Sequence, residues 1–282
     1  MNKLNSYLQL IRFYNPIGFW LLLWPGFWGL FIHPGFEISH FVIVLLGSFL
    51  TRSLGCAIND FLDKDIDGKV FRTKDRPIAA GLITKFEAKI FIILLSLICL
   101  FLLSMTNEFT IKLVLFAAVP LIIIYPLAKR FISIPQIILG ITFGLSLPIS
   151  YSIVHGTIHQ DAIFLYVACI FWIIAYDGIY ALSDYEDDLR IKLNSLPVIF
   201  KENTAAVVLM FYFIFMIMIA IYAFTHSLEL LAIGLLFLIY QMYLQFQMIK
   251  SERYIEAFKS NSHVGLVIAM IFFIENQNEL FS

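Results

Sequence analysis

The sequence predicts an all-helical protein that crosses a membrane many times. Three observations support this fold class: an apolar composition, nine apolar runs of spanning length, and basic residues concentrated between alternate runs. Of the 282 residues, 61% are hydrophobic and 14% are charged, and the mean hydropathy is +0.88. Soluble domains carry about 25% charged residues, so the composition excludes a soluble domain.

The apolar runs are continuous, which favours helices over the strands of a membrane barrel. Barrel strands alternate apolar and polar residues, whereas a helix needs about 20 mostly apolar residues to cross the hydrocarbon core. We therefore predict a polytopic protein with nine transmembrane helices in a single domain, residues 1–282. The predicted spans are residues 17–32, 41–61, 88–105, 111–127, 134–154, 162–182, 205–224, 228–248 and 264–274.

Basic residues give the predicted orientation. If the N-terminus lies inside, Lys112 is the only one of 19 Lys and Arg residues on the outer side. Because these residues accumulate on the cytoplasmic side, we predict a cytoplasmic N-terminus and, with nine spans, an outer C-terminus. No Arg- and Ser-rich presequence is apparent, which favours a bacterial inner membrane over an organellar one.

The inner end of the second predicted span carries a stripe of oxygen-bearing side chains. Asn59, Asp63 and Asp67 recur every four residues, so on a helix they share one face. A carboxylate near mid-bilayer costs roughly 3 kcal/mol, so we expect the stripe at a helix end or in a wet cavity beside positive charge. Such ligands suit Mg²⁺, which binds through one or two carboxylates, water and substrate phosphates.

Basic side chains accompany this stripe. Arg52 lies two helical turns earlier, and it is interpreted either as part of the site or as an ion-pair partner of Asp60 or Asp63. The long inner loop that follows contains Arg72 and Arg76, which could hold phosphate oxygens. The simpler interpretation of that loop is a solvated segment whose charge only sets the topology.

Two further basic segments have a simple topological explanation. Lys129 and Arg130 form a short inner turn between the fourth and fifth spans, where positive charge is expected in any case. Arg12 precedes Trp20, Trp24 and Trp28, and this N-terminal segment is interpreted as an interfacial anchor. Tryptophans are typical of the level of the lipid headgroups.

A second acidic stripe ends the sixth predicted span. Asp177, Tyr180, Asp184 and Asp188 lie at positions i, i+3, i+7 and i+11, so they share one helical face. Cations follow, including Lys192. Two acidic helix ends on the same side favour a two-sided metal and phosphate site over an accident of the surface. They also suggest that spans 2–5 and 6–9 are a pseudo-repeat.

These segments closely resemble the motifs of the UbiA superfamily of intramembrane aromatic prenyltransferases in their order, their spacing and the side of the membrane on which they are expected. The resemblance extends over nearly the whole chain, and it is closest to the branch that prenylates 4-hydroxybenzoate in ubiquinone biosynthesis. The segments that carry it are Arg52-x-x-Gly55-Cys56-x-x-Asn59-Asp60-x-x-Asp63-x-x-x-Asp67, Arg72-Thr73-x-x-Arg76-Pro77, Tyr125-Pro126-x-x-Lys129-Arg130-x-x-x-x-Pro135-Gln136 and Asp177-x-x-Tyr180-Ala181-x-x-Asp184-x-x-Asp187-Asp188.

The resemblance implies nine helices around a central cavity that opens laterally to lipid. It also implies Mg²⁺-dependent transfer of a polyprenyl group from polyprenyl diphosphate to the ring carbon ortho to the hydroxyl of 4-hydroxybenzoate, with release of diphosphate. The active site is expected to face the cytoplasm. The expected partners are the two substrates and the lipid bilayer, without nucleic acid and without an obligate protein partner.

Roles for individual residues follow from the match to the family motifs. Asn194 stands where the family has a lysine, so Lys192 is the expected substitute. The expected metal ligands are Asn59, Asp63, Asp67, Asp184 and Asp188. The expected diphosphate-binding residues are Arg72, Arg76, Lys129 and Lys192. The expected acceptor-binding residues are Arg52, Arg130, Tyr180 and Asp177. The expected catalytic residues are Asp63, Asp67, Asp184, Asp188 and Arg130.

Two alternative functions remain open from the sequence. A prenyltransferase of the same family could act on homogentisate, a naphthoate or haem. Only the detailed sequence of the motifs distinguishes these acceptors from 4-hydroxybenzoate. A cation-coupled secondary transporter could also use paired intramembrane carboxylates. Transporter sites, however, lie near mid-bilayer at broken helices, whereas these stripes lie at inner helix ends and lack Gly or Pro breaks.

Overall fold

The chain folds into helices, and the described residues contain no strand. The computed structural model describes residues 2–68 and 73–281, without the side chains of residues 66, 126–130, 191 and 277–281. The helices are α1 (Lys3–Leu10), α2 (Ile17–Phe31), α3 (Ile38–Asp67), α4 (Lys85–Leu103), α5 (Glu108–Leu113), α6 (Val119–Phe131), α7 (Pro135–Gly144), α8 (Ser146–His155), α9 (Gln160–Leu182), α10 (Tyr185–Ile191), α11 (Leu196–Phe200), α12 (Thr204–Thr225), α13 (Glu229–Lys250) and α14 (Tyr254–Phe281).

The helices confirm the predicted class of all-helical membrane protein. Eight helical segments within the described ranges are long and apolar enough to cross a membrane, and α2 is a shorter apolar helix of 15 residues. The count of nine spans and the side on which each terminus lies remain predictions. The last span differs in extent from the expectation, because α14 runs well beyond residues 264–274 in both directions.

Proline accounts for interruptions in two of the predicted spans. A π-helical segment, Val114–Ala118, separates α5 from α6 just before Pro120, and α7 ends at Gly144 shortly before Pro148. Proline has no N–H group for the carbonyl four residues earlier, and its ring crowds that carbonyl. The span predicted at residues 134–154 is therefore two helices, α7 and α8.

Four helices, α2, α9, α12 and α14, form what we call the packed half of the bundle. Trp172 of α9 lies at its centre, with its ring 5.1 Å from that of Trp28 and 6.0 Å from that of Phe215. The indole N–H of Trp172 donates to the side-chain oxygen of Asn261, at 3.0 Å. Of the most apolar 18 residues of α9, 61% are buried inside the protein.

The other side of the bundle, which we call the cavity half, consists of α3, α4, α5 and α6. Only 11% of the most apolar stretch is buried in α4, and the same fraction holds for the segment Glu108–Tyr125. Large apolar side chains such as Phe101 and Phe116 point outwards. In a bilayer these surfaces face lipid, which replaces the protein neighbours that a soluble helix would need.

The interpretation of the N-terminal tryptophans as an interfacial belt is wrong for two of them. Trp24 and Trp28 are buried in the packed half, and Trp20 alone of the three is exposed. The indole N–H of Trp24 donates to the hydroxyl of Ser262, and that of Trp28 donates to the carbonyl of Gly265. Because α14 supplies these acceptors, both indoles can be buried without losing a hydrogen bond.

Candidate active site

A cavity of about 1010 Å³ lies within the bundle and receives residues from both acidic stripes. At one end its wall carries carboxylates and arginines, and elsewhere it is lined by apolar side chains of α4 and α6 and of the π-helical segment between α5 and α6. Leu100, Leu103 and Leu115 belong to this apolar part. The cavity can therefore hold a molecule with an anionic head and a hydrocarbon tail.

The first stripe lies on one continuous helix, as its spacing predicts. Asn59, Asp63 and Asp67 all belong to α3 and all line the cavity. Asp67 is buried at the C-terminal end of the helix, and Asn59 and Asp63 are partly exposed. An uninterrupted α3 places these three oxygen-bearing side chains on one face, turned towards the cavity.

The second stripe is divided between two helices, which differs from the predicted continuous face. The helix α9 ends at Leu182, Asp184 lies in the turn that follows, and α10 begins at Tyr185. At this turn the hydroxyl of Ser183 donates to the carbonyl of Tyr180, at 2.6 Å, and such local bonds compete with the helical ladder.

The turn keeps the acidic groups together despite the break. Asp177, Tyr180, Asp184 and Asp188 all line the same cavity as the α3 stripe, and Asp187 joins them. Tyr125 of α6 also lies at the wall of this cavity. Groups from the two stripes thus face one compartment.

The acidic residues fit a divalent ion only with help from other ligands. In the part of the chain that the structure describes, no three acidic, histidine or cysteine side chains converge closely enough to hold an ion by themselves. All the stripe ligands are oxygen atoms, which are the donors that Mg²⁺ prefers. An ion here would take one or two carboxylates and complete its shell with water or phosphate oxygens.

Ion pairs connect the C-terminal part of α3 to two arginines. The guanidinium of Arg76 donates to both carboxylate oxygens of Asp67, at 3.0 and 2.9 Å, and lies 3.1 Å from an oxygen of Asp60. Arg12 donates to both oxygens of Asp60, at 2.7 and 2.9 Å. Burial raises the pKa of the Asp67 carboxyl, and the Arg76 guanidinium opposes that shift.

Arg52 is placed by a close contact with α2. A Cβ atom at Gly18 would lie 2.6 Å from the Arg52 side chain, so a methyl group there would displace the guanidinium. The guanidinium carbon is 5.6 Å from the centre of the Phe143 ring, and the buried Nε has no hydrogen-bond partner among the described residues. Arg52 lines the cavity, and its interpretation as a partner of Asp60 is wrong, because Arg12 and Arg76 occupy that carboxylate.

The structure describes only some of the remaining predicted cations. Arg72 lies outside the described residues, and so do the side chains of Lys129 and Arg130, although their backbone belongs to α6. Lys192 is exposed at the end of α10, in a left-handed backbone conformation with φ of 56°, and it is not among the described residues that line the cavity. Its role in binding diphosphate remains a prediction.

Two cavity residues are not predicted from the sequence to belong to the site. The sequence predicts a surface anchor at Arg12 and gives no role to Lys259 of α14, yet both line the cavity. The signal for Arg12 would have been the unpaired charge of Asp60 within an apolar run. No comparable signal marks Lys259, because the approach of α14 to the cavity is a property of the folded bundle.

The fold and the cavity define a class of intramembrane enzyme that acts on an anionic substrate with a lipid-like tail. The chain belongs to the UbiA prenyltransferase family, whose pattern matches residues 22–273. It is 38% identical to a 4-hydroxybenzoate octaprenyltransferase of Actinobacillus pleuropneumoniae serotype 3 (strain JL03), over 94% of this chain and 92% of the relative. It is 36% identical to the enzyme of the same name from Psychromonas ingrahamii, over 94% of each chain.

Solved structures show the same fold at lower sequence identity. A UbiA homologue from Aeropyrum pernix K1 superposes with a TM-score of 0.80 at 20% identity, covering 91% of this chain and 97% of the other. A UbiA homologue from Archaeoglobus fulgidus, solved with GPP and Mg²⁺, superposes with a TM-score of 0.75 at 20% identity, covering 95% and 99%. The predicted UbiA-like helical fold is therefore confirmed.

Proposed function

We propose that this protein transfers a polyprenyl group from polyprenyl diphosphate to the ring carbon ortho to the hydroxyl of 4-hydroxybenzoate, releasing diphosphate, in ubiquinone biosynthesis. The observation that carries the proposal is the single cavity in which both acidic stripes meet an apolar compartment. The names of relatives that are 36% to 38% identical support the choice of acceptor.

The inner end of the cavity is the proposed donor-head site. Mg²⁺, when bound, would neutralise the charge that develops on the departing diphosphate. A homologue solved with GPP and Mg²⁺ supports this assignment of the metal. The proposed ligands are Asn59, Asp63, Asp67, Asp184 and Asp188.

In this proposal, basic side chains bind the diphosphate together with the metal. Arg76 already lies at the cavity wall, where it pairs with Asp67. Positive charge fixed in a site with little water stabilises a leaving anion far more than it would in bulk solvent. Arg72, Lys129 and Lys192 are proposed to act with it.

The acceptor site is proposed beside Arg52. A buried guanidinium Nε that lacks a partner among the described groups is available to a carboxylate such as that of 4-hydroxybenzoate. Arg130 is proposed to act on the same carboxylate. Arg130→Ala should raise the KM for 4-hydroxybenzoate more than that for the donor, and the reverse pattern would assign Arg130 to the diphosphate.

The transfer itself would exchange one carbon–oxygen bond for one carbon–carbon bond. The allylic carbon leaves the diphosphate, which keeps the bonding electrons, and the ring carbon then bonds to the allylic carbon. The face of Tyr180 could stabilise the allylic cation by about 1 to 2 kcal/mol. The ring proton would pass to Asp177 or to a diphosphate oxygen, which restores the aromatic ring.

The tail of the donor is proposed to lie along the apolar part of the cavity and to leave it between helices that face lipid. Each buried CH₂ contributes about 0.8 kcal/mol, so a long isoprenoid remains in the bilayer throughout. We propose a bacterial inner membrane, with the active site facing the cytoplasm. A tag at the C-terminus should then be reachable only from the outer side, and labelling from the cytoplasm would contradict the nine-span topology.

Product analysis tests the proposed reaction directly. Membranes containing the protein are incubated with 4-hydroxybenzoate, a polyprenyl diphosphate and Mg²⁺, with and without a chelator. We expect prenylated hydroxybenzoate only when free Mg²⁺ is present. Parallel reactions offer homogentisate, a naphthoate and haem, and transfer to any of these without transfer to 4-hydroxybenzoate would overturn the proposed acceptor.

A further inference from the structure

Arg12 follows α1, and its side chain reaches the end of α3 at the cavity wall. Besides both oxygens of Asp60, its guanidinium contacts the carbonyl of Gln9, at 3.1 Å. The backbone of Arg12 has a φ of 60°, which residues other than glycine seldom adopt. An unfavourable backbone angle is thus kept at the residue that makes these contacts, as is common at functional sites.

Asp60 is shared by two arginines that come from different parts of the chain. It is 1% exposed, so its charge must be balanced inside the protein. One terminal nitrogen of Arg12, Nη2, meets both of its oxygens, and Arg12 is closer to Asp60 than Arg76 is. Arg76 also pairs with Asp67, so two acids compete for its guanidinium.

We propose that Arg12 is a positioning residue for the donor diphosphate, a role that rests on the proposed prenyl transfer. By neutralising Asp60, Arg12 keeps Arg76 from being drawn wholly to that carboxylate. Arg76 then stays at the cavity wall, with 20% of its side chain exposed, where it can turn to a diphosphate oxygen.

Charge supplies a second reason for this role. The inner end of the cavity carries carboxylates from α3 and α10, which repel an incoming diphosphate. Arg12 cancels the part of that repulsion that comes from Asp60, and the reduction is large where water is scarce. Loss of Arg12 would leave the charge of Asp60 to repel the diphosphate or to draw Arg76 away from it.

Arg12→Gln and Arg12→Lys test the proposal. R12Q should raise the KM for polyprenyl diphosphate and the inhibition constant of inorganic pyrophosphate about tenfold, while the KM for 4-hydroxybenzoate changes less than about twofold. R12K keeps the charge but loses the planar guanidinium, whose separate nitrogens meet Asp60 and the carbonyl of Gln9, so its donor KM should lie between those of R12Q and the wild type. An equal rise in both KM values for R12Q would overturn the proposal.

Lys3→Gln is the matched control. Lys3 lies on α1 and pairs with Glu87 at 2.8 Å, so it docks the same N-terminal segment without lining the cavity. K3Q should leave the donor KM within about twofold of the wild type. If K3Q raised the donor KM as much as R12Q, docking of the segment would explain the effect, and the positioning role would be rejected.

A double variant shows whether Arg12 acts through Asp60. The amide in Asp60→Asn needs no counter-charge, so adding R12Q to D60N should change the donor KM by less than about twofold. A further tenfold rise would mean that Arg12 acts by another route and would overturn the proposal. Should R12Q fail to fold, D60N and R12K, each alone and combined, give the same comparison.

Binding of inorganic pyrophosphate separates this proposal from the proposed function. Calorimetry on the detergent-solubilised full chain, with Mg²⁺, should show about tenfold weaker binding by R12Q than by K3Q. Weaker binding by R12Q in a protein that does not prenylate 4-hydroxybenzoate would reject the proposed function and support the role of Arg12. Unchanged binding by R12Q in an active protein would reject the role of Arg12 alone.

Discussion

The packed half and the cavity half of the bundle use their polar side chains in opposite ways. In the packed half, Asn261 is fully buried, and its oxygen accepts hydrogen bonds from Trp172 and Tyr212. In the cavity half, Asp60 and Asp67 are nearly as buried, but their partners are charged and lie at the cavity wall. The first arrangement holds helices together, and the second prepares a surface for an anionic ligand.

This difference predicts which substitutions should reduce stability and which should reduce activity. A polar network between neutral groups of the packed half contributes only to stability, because nothing in it reaches the cavity. A whole ion pair at a cavity wall contributes little net stability, since its desolvation offsets its attraction. Substitutions at the centre of the packed half should therefore reduce stability and activity together, whereas substitutions of cavity-lining residues should reduce mainly activity.

The largest effect is expected from the acids of the two stripes. Asp63→Ala and Asp188→Ala should each lower kcat by about a thousandfold, because each removes charge from the proposed metal and diphosphate site. The melting temperature in detergent should stay within about 3 °C of the wild type.

Two neighbouring acids serve as controls. Asp65→Ala and Glu186→Ala remove exposed carboxylates that do not line the cavity, from α3 and α10 respectively. Both control variants should keep near-normal turnover. Near-normal turnover in Asp63→Ala or Asp188→Ala would remove those residues from the site.

A large loss of stability is expected at the centre of the packed half. Trp172→Ala removes a fully buried ring that stacks on Trp28 and Phe215, and such truncations cost about 3 to 5 kcal/mol. The folded fraction recovered in detergent and the melting temperature should both fall. Trp20→Ala, at a ring that is 38% exposed, should change the folded fraction and the melting temperature far less. A similar fall in both variants would contradict the expected difference between the buried and the exposed ring.

Two glycines on α2 allow the cavity and the packed core to be compared within one helix. A methyl group at Gly18 would press on Arg52, whereas one at Gly29 would lie 2.1 Å from the backbone oxygen of Leu147. Gly18→Ala should therefore raise the KM for 4-hydroxybenzoate about tenfold at an unchanged melting temperature. Gly29→Ala should lower the melting temperature, because backbone cannot yield as a side chain can. The same change of KM and melting temperature in both variants would contradict the difference between the two halves.

The smallest effect is expected in the apolar wall of the cavity. Leu100 is 49% exposed and lines the cavity, so Leu100→Ala should cost less than about 0.5 kcal/mol of stability. It should raise the KM about twofold for a long-chain donor but not for a short one. Phe101→Ala, at an outward-facing neighbour outside the cavity, should leave both KM values unchanged.

Local periodicity explains which parts of the site could be predicted. The stripe of Asn59, Asp63 and Asp67 lies on one helix, so its spacing is sufficient to place it on one face. The second stripe was predicted less well, since the bond between Ser183 and Tyr180 and the end of α9 are details of backbone geometry. That it lines the same cavity depends on how α9 and α10 pack against the rest of the bundle.

The sequence by itself determined the membrane class, the run of apolar segments and the first acidic stripe, because hydrophobicity and helical period act over short stretches of chain. Only the tertiary structure decided which cation meets which acid. Arg12 and Asp60 are 48 positions apart, and Trp172 and Asn261 are 89 apart. Contacts over such separations depend on how the helices pack, and no pattern along one helix specifies its neighbour.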